Sequence, residues 1–295
     1  MNRILIIIPV LLALLCNSCE FRQSINKDLK TGAYSRGDGL SCDGVVIEID
    51  NNVEERSTFA FGEKVNLTFV NVEGLKVEKN MVYPKMSIYI VKNEQDTIDS
   101  DVSIIPVSLS ELKDGEVLQL YYSFRANFPN KNQEKYKLIF NILDEKGEGA
   151  FFYELPFKIE ENTLLDINSE NIEYSGVYLF NKTKQKVVSK EEVLNRNNMI
   201  ELVLKGFDGF NEKNGYVQPN FSIEVVDHKE NKIFSIPNAL SDAAYGVKSE
   251  DFKERLGVNI IFPVVELNNP YTLKAVLEDK DTSNKIVIET ELNLK

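Results

Sequence analysis

The chain has no tryptophan, a single histidine (His228) and three cysteines in 295 residues. One imidazole leaves little for histidine-ligated metals or for Ser-His and Cys-His nucleophile pairs, which need several such groups converging on one point. Cys16, Cys19 and Cys42 are too few to carry the fold as a disulfide framework. Positive charge is also short: 34 Lys and Arg against 46 Asp and Glu give a formal charge of −12, and no basic stripe interrupts the deficit. Such a surface repels a phosphate backbone, so nucleic acid is excluded as a partner. No apolar run reaches the ~20 residues that cross a bilayer as a helix. Gly-rich phosphate loops after a strand and the Gly-x-Ser-x-Gly elbow are both missing. Accordingly no catalytic residue, no metal ligand and no cofactor is assigned, and the chain reads as a non-enzyme.

What is present is ordinary globular material, with 43% hydrophobic and 27% charged residues, so the chain is expected to fold rather than stay disordered. Its length exceeds what one core usually serves, which favours two domains. An internal repeat points the same way. With a fixed shift of 135, Val65–Ser100 lies over Ile200–Ser235 with nine of thirty-six positions identical: Leu67/Leu202, Gly74/Gly209, Val82/Val217, Pro84/Pro219, Ser87/Ser222, Ile88/Ile223, Val91/Val226, Ile98/Ile233 and Ser100/Ser235. The same shift pairs Tyr136 with Tyr271, Leu138 with Leu273, Asp144 with Asp279 and Glu154 with Glu289. In between, LQLYYSFR and VNIIFPVV align only near a shift of 140, which places compensating insertions around that strand. So long a period, present twice, indicates duplicated domains rather than a solenoid.

Each copy alternates apolar and polar residues with period two, in VNLTFV, MSIYIV, YKLIFNI and FFYELPFKI and again in FSIEVV, YTLKAVL and IVIETEL. Half-buried antiparallel strands read this way. Turn-forming DEKGEG and DKDTSN join the last two strands of each copy. Only Ser189–Leu194 and Ser249–Leu256 carry a helical period. About seven strands per copy suit two packed antiparallel sheets.

The first residues, MNRILIIIPVLLALLCNSC, combine Arg3 with an apolar run from Ile4 to Leu15 and then small polar residues. This is a targeting segment and not part of the fold. It resembles the leader of bacterial lipoproteins, in which a small residue precedes the cysteine that is lipidated. Ser18 fits that place before Cys19, whereas bulky Leu15 precedes Cys16. The resemblance implies lipidation at Cys19, with Cys42 then alone, and a membrane partner reached through the acyl chain. Phe21, rather than Asp, stands two residues after the anchor, and by the same analogy the outer membrane is implied, with the leaflet left open. Residues 19–40 are polar and carry glycines at 32, 37 and 39, which reads as a flexible tether giving reach on the order of 25 Å.

Tyr136 and Tyr271 each open the penultimate strand of their copy in a Tyr-x-Leu pattern. They resemble the tyrosine corner of immunoglobulin-like sandwiches. Asp96-Thr97-Ile98 resembles the O-glycosylation site of secreted Bacteroidota-type proteins, with Thr97 as acceptor in an exposed turn. His228 falls in a turn, and the acidic groups at Asp144, Glu145, Glu148 and at Asp279, Asp281 lack EF-hand spacing. Tyr121, Tyr122, Phe124 and Phe128 could stack on sugar, but alternation puts Tyr122 and Phe124 together on a buried face. The expectation is an all-β chain: signal peptide 1–18, tether 19–40, Ig-like sandwich 41–160, linker 161–169 and Ig-like sandwich 170–295. Its expected role is a lipid-anchored, non-catalytic binding, adhesive or structural module with a protein or glycan partner. The rivals are a glycan-binding accessory of polysaccharide uptake and a fimbrial-type surface subunit.

Overall fold

A computed structural model describes residues 23–111, 117–129, 134–243, 245–263 and 266–295. Strands make up 56% of the chain and helix 3%, so the fold is all-β, built from several antiparallel sheets. The first half contains β1 (Gln23–Lys27), β2 (Tyr34–Asp38), β3 (Gly44–Ile49), β4 (Asn52–Glu54), β5 (Thr58–Ala60), β6 (Lys64–Val70) and β7 (Met81–Val82). It continues with β8 (Pro84–Lys92), β9 (Asp96–Ile104), β10 (Val107–Ser108), β11 (Leu120–Arg125), β12 (Tyr136–Asp144) and β13 (Ala150–Glu160). The second half contains β14 (Asp166–Glu170), β15 (Gly176–Asn181), β16 (Lys186–Val187), β17 (Val193–Leu194), β18 (Ile200–Lys205) and β19 (Tyr216–Val217). After these come β20 (Pro219–Val226), β21 (Lys232–Ile236), β22 (Val247–Lys248), α1 (Ser249–Glu254), β23 (Leu256–Ile260), β24 (Tyr271–Asp279) and β25 (Lys285–Leu294).

In the first half one sheet runs β1-β2-β13-β12-β8-β9 and faces a second ordered β11-β6-β3-β4. In the second half the corresponding orders are β14-β25-β24-β20-β21 and β16-β15-β18-β23. Strict alternation explains the long strands. Inward residues of β8, β12, β20 and β24 are buried at every second position, and their partners meet solvent. β5 and β17 each run parallel to the last strand of their half, Phe59 opposite Ile159 and Leu194 opposite Leu294.

The shift of 135 holds residue by residue across the β8–β12–β13 and β20–β24–β25 ladders. Tyr136 faces Phe157 as Tyr271 faces Leu292, and Ile88 faces Phe140 as Ile223 faces Ala275. Even the irregularity repeats: both β8–β9 and β20–β21 skip one residue, and the residues left without a partner are Ile98 and Ile233.

Four sequence expectations need correction. Residues 23–38, read as flexible tether, form the β1–β2 hairpin, and β2 pairs with β13. The stretch read as a linker, 161–169, contains most of β14, which pairs with β25 as β2 pairs with β13. Ser189–Leu194 ends in β17 rather than forming a helix, whereas Ser249–Glu254 is helical as its period implied. The shift of 140 belongs only to β10 and β22: Val107 faces Val82 and Val247 faces Val217. For the next strand the shift is 136, because Leu120 faces Phe69 and Leu256 faces Leu204. Pairing register, not residue likeness, fixes that equivalence.

Two buried clusters fill the halves, and the first also takes in Tyr178, Val187 and Val203. Phe61 lies 5.9 Å from Tyr178, and the Arg125 guanidinium sits 5.0 Å from the Phe180 ring centre. Gly62 permits this approach, since it has φ +94° and a Cβ there would stand 2.9 Å from the Tyr178 ring.

Candidate functional site

The two halves serve as mutual controls, because a polar residue in one that replaces an apolar residue in the other is not required by the fold. Two places meet that description. The first is the outer edge of β9. Asp99 and Asp101 lie opposite the buried Ile90 and Ile88 and so share their inward face, yet both are exposed at the rim of the sheet. Their counterparts in β21, Phe234 and Ile236, lie opposite Val225 and Ile223 and are part-buried. Across the sandwich, Tyr122 of β11 takes the place of Val258 in β23. Burial, with Asp99 and Asp101 nearby, pushes the Tyr122 hydroxyl up to about 12. All nine residues of β9 are exposed or only part-buried, and no described strand pairs with its outer edge.

The second place lies under the added hairpin, where a cavity of about 300 Å³ opens between β1–β2 and β3–β4. Tyr153 and Ser35, directly opposite in β13 and β2, line it. The second half has Ile288 opposite Ile167 at this register.

The sequence-predicted residues are distributed as follows. Cys16 and Cys19 lie outside the described residues. Thr97 is exposed, but as the second residue of β9 rather than in the turn before it. The Tyr136 hydroxyl donates to the carbonyl of Pro129, while the Tyr271 hydroxyl accepts the Asn268 N–H at 2.9 Å. Each tyrosine therefore ties the start of its strand to the segment before it, with opposite donor roles. Tyr122 and Phe124 stack at 6.3 Å on the inward face, and Tyr121 points outward, 64% exposed. Cys42 is a free, half-buried thiol that donates to the carbonyls of Gly44 and Val70. Burial raises its pKa.

The acidic turns are structural. Asp144 Oδ2 accepts the Lys76 N–H at 2.7 Å, and Asp279 Oδ2 accepts the Asn211 N–H at 2.7 Å. Both carboxylates are buried, and their other oxygens accept N–H groups of their own turns, from Lys146 and Asp281. These bonds hold the loops around Gly74 (φ +93°) and Gly209 (φ +100°), where a Cβ would run into the carbonyl oxygens of Gly39 and Asn171. Crossover geometry thus explains why the two loops keep one length. Asp227 likewise accepts from Asn231, Lys229 and Asn268, and the Asn231 side chain is the first cause holding its carboxyl below the usual range. His228 lies in that turn, its N–H donating to the Asn268 carbonyl. Among the described residues no group of three or more His, Cys, Asp or Glu could hold a metal ion, and no helix is long and apolar enough to cross a membrane.

No family model matches the sequence. No curated protein matches it either. Among solved structures, the protein named pT26-6p is similar at 10% identity over 92% of this chain and 65% of its own, with a TM-score of 0.26. Trypsin-activated alpha-2-macroglobulin from Escherichia coli is similar at 8% identity over 85% of this chain, with a TM-score of 0.24. The chain spans 16% of the length of that second protein. Likenesses this distant carry no argument about fold or function.

Proposed function

We propose that the protein is a non-catalytic binding module of the bacterial cell envelope, carried on the outer membrane by a lipid on Cys19 and built from two Ig-like sandwich domains. The leader sequence supports the anchor, and the common register of the two halves supports the duplication. One observation carries the binding role: Asp99 and Asp101 stand at positions the duplicated scaffold fills with Phe234 and Ile236. Giving up apolar burial at a sheet edge costs stability, so polar residues there serve the surface. Inward charges also keep apolar strands from adding to the edge. A partner strand bringing a basic side chain to the two carboxylates escapes that block, and β-addition along β9 is the contact we assign. The hairpin alters the anchor geometry. With β1 starting at Gln23, the lipidated Cys19 lies at most about 14 Å from the fold, so the first half sits close to the membrane.

Two measurements test this. Radioactive palmitate is expected to label the wild type and Cys16→Ala but not Cys19→Ala; label persisting in Cys19→Ala refutes the anchor. A photo-crosslinker at Val102 is expected to give an adduct on cells that is lost when Asp99→Phe and Asp101→Ile restore the second half's residues. An adduct indifferent to that pair, or equally strong from Ser235, refutes the edge. A second reading, an accessory to glycan capture, is favoured by the cavity under the hairpin.

A further inference from the structure

We propose that the cavity between the β1–β2 hairpin and β3–β4 binds a neutral, polyhydroxylated ligand of one or two sugar rings. The inference stands apart from the lipid anchor and from the β9 edge.

The register builds the site. Asn26 of β1 is opposite Ser35 of β2, and Ser35 is opposite Tyr153 of β13, so three polar side chains share one face in a row that runs from the exposed Asn26 to the buried Tyr153. Adjacent strands are about 4.8 Å apart, which makes the row roughly 10 Å long. All three residues line the cavity. Tyr153 is only 4% exposed, and among the described residues its hydroxyl makes no hydrogen bond. The hydroxyl keeps solvent contact where Tyr153 lines the cavity, so it is open to a ligand there. The Asn26 amide and the Ser35 hydroxyl are uncommitted in the same sense.

Charge selects the ligand class. The cavity is lined by Asp28, Glu54 and Glu55 and by no Lys or Arg, which disfavours anions. Those carboxylates are already engaged. Asp28 accepts from Thr31 at 2.6 Å and from the Lys30 N–H at 2.9 Å, Glu54 pairs with Arg56 at 3.2 Å, and Glu55 pairs with the Lys30 ammonium. The free groups are therefore an amide and two hydroxyls, which suit alcohols rather than ions. Val45, Ile47 and Phe151 supply an apolar wall for the C–H face of a sugar ring.

The second half supplies the control. It has Ile167 opposite Ile288 where the first has Ser35 opposite Tyr153, and among the described strands none is added outside β14. At that register the second half is therefore closed by two apolar side chains.

The test uses the full chain carrying Cys16→Ser and Cys19→Ser, so that Cys42, which also lines the cavity, is the sole thiol. Its rate of reaction with a disulfide reagent is measured against methyl glucoside, methyl galactoside, methyl mannoside and N-acetylglucosamine, with gluconate and glucosamine as charged comparators. At least one neutral sugar is expected to slow the reaction several-fold and saturably. Tyr153→Phe and Ser35→Ala are each expected to weaken that protection about tenfold, the equivalent of one hydrogen bond. Should Tyr153→Phe fail to fold, Ser35→Ala and Asn26→Ala decide. Protection by none of the neutral sugars overturns the proposal. Stronger protection by gluconate or glucosamine overturns the ligand class, and wild-type protection in the folded variants overturns the site.

Discussion

The two halves share a register to the residue but fill their cores with different material. In the first half Phe69 packs 4.5 Å from Phe140, with Phe151 and Tyr153 edge-on around it. The same positions in the second half are Leu204, Ala275, Ile286 and Ile288, all buried. There the aromatic cluster sits elsewhere: Phe252 of α1 packs 4.7 Å from Phe210 and 5.6 Å from Phe207. One set of backbone pairings is thus satisfied by ring-on-ring packing and by branched aliphatic packing alike. Register and alternation define the scaffold, while side-chain volume need only be conserved within each half.

The sharpest way to break this comparison is to give one half the other's residue. Phe140→Ala installs the second half's Ala275 opposite an unchanged Phe69, and it is expected to cost about 3–5 kcal/mol in denaturant unfolding. A loss under about 1 kcal/mol would mean the first core can collapse onto the smaller packing. The reverse change, Ala275→Phe, is expected to cost about 1–3 kcal/mol through overpacking.

A milder probe asks whether the shared features contribute equally. Asp144→Ala and Asp279→Ala each remove a buried carboxylate that accepts backbone N–H groups of two loops, and hydrogen bonds to a charged group of this kind are expected to be worth about 1–3 kcal/mol. Differential scanning calorimetry of the two variants checks this, and a large inequality would show that only one crossover depends on its carboxylate.

The smallest effect concerns alkaline pH. The Tyr122 pKa is raised in the fold, so its contribution is complete below the unfolded value near pH 10 and is lost as pH climbs toward about 12. Burial likewise raises Tyr153 and Tyr136. Valine occupies the Tyr122 position in the second half. Tyr122→Phe is therefore expected to move alkaline unfolding to slightly higher pH, followed by tyrosinate absorbance and circular dichroism together. An unchanged profile would show that Tyr122 ionises freely in the folded state.

Much of the fold was legible because alternation is local. MSIYIV and FSIEVV state which face of each strand is buried without reference to any neighbour, and the 135-residue period ties them together. QSINK and YSRGD have no such alternation: β1 is exposed throughout and β2 has one buried residue, so composition suggested a tether. Likewise the parallel pairing of Val193 and Leu194 with β25 is a non-local contact that overrides a weak helical period. The candidate sites were hidden for a related reason. Tyr153 reads as core because its strand alternates, and Asp99 and Asp101 read as a polar surface stretch because their pattern lacks apolar partners.

By itself the sequence determined that this chain makes antiparallel strands in two matching series, because period-two burial is a property of each strand alone. Only the tertiary structure decided which polar residues face inward at a sheet rim. That depends on which strand lies alongside, and in what register, and neither is encoded within the strand itself.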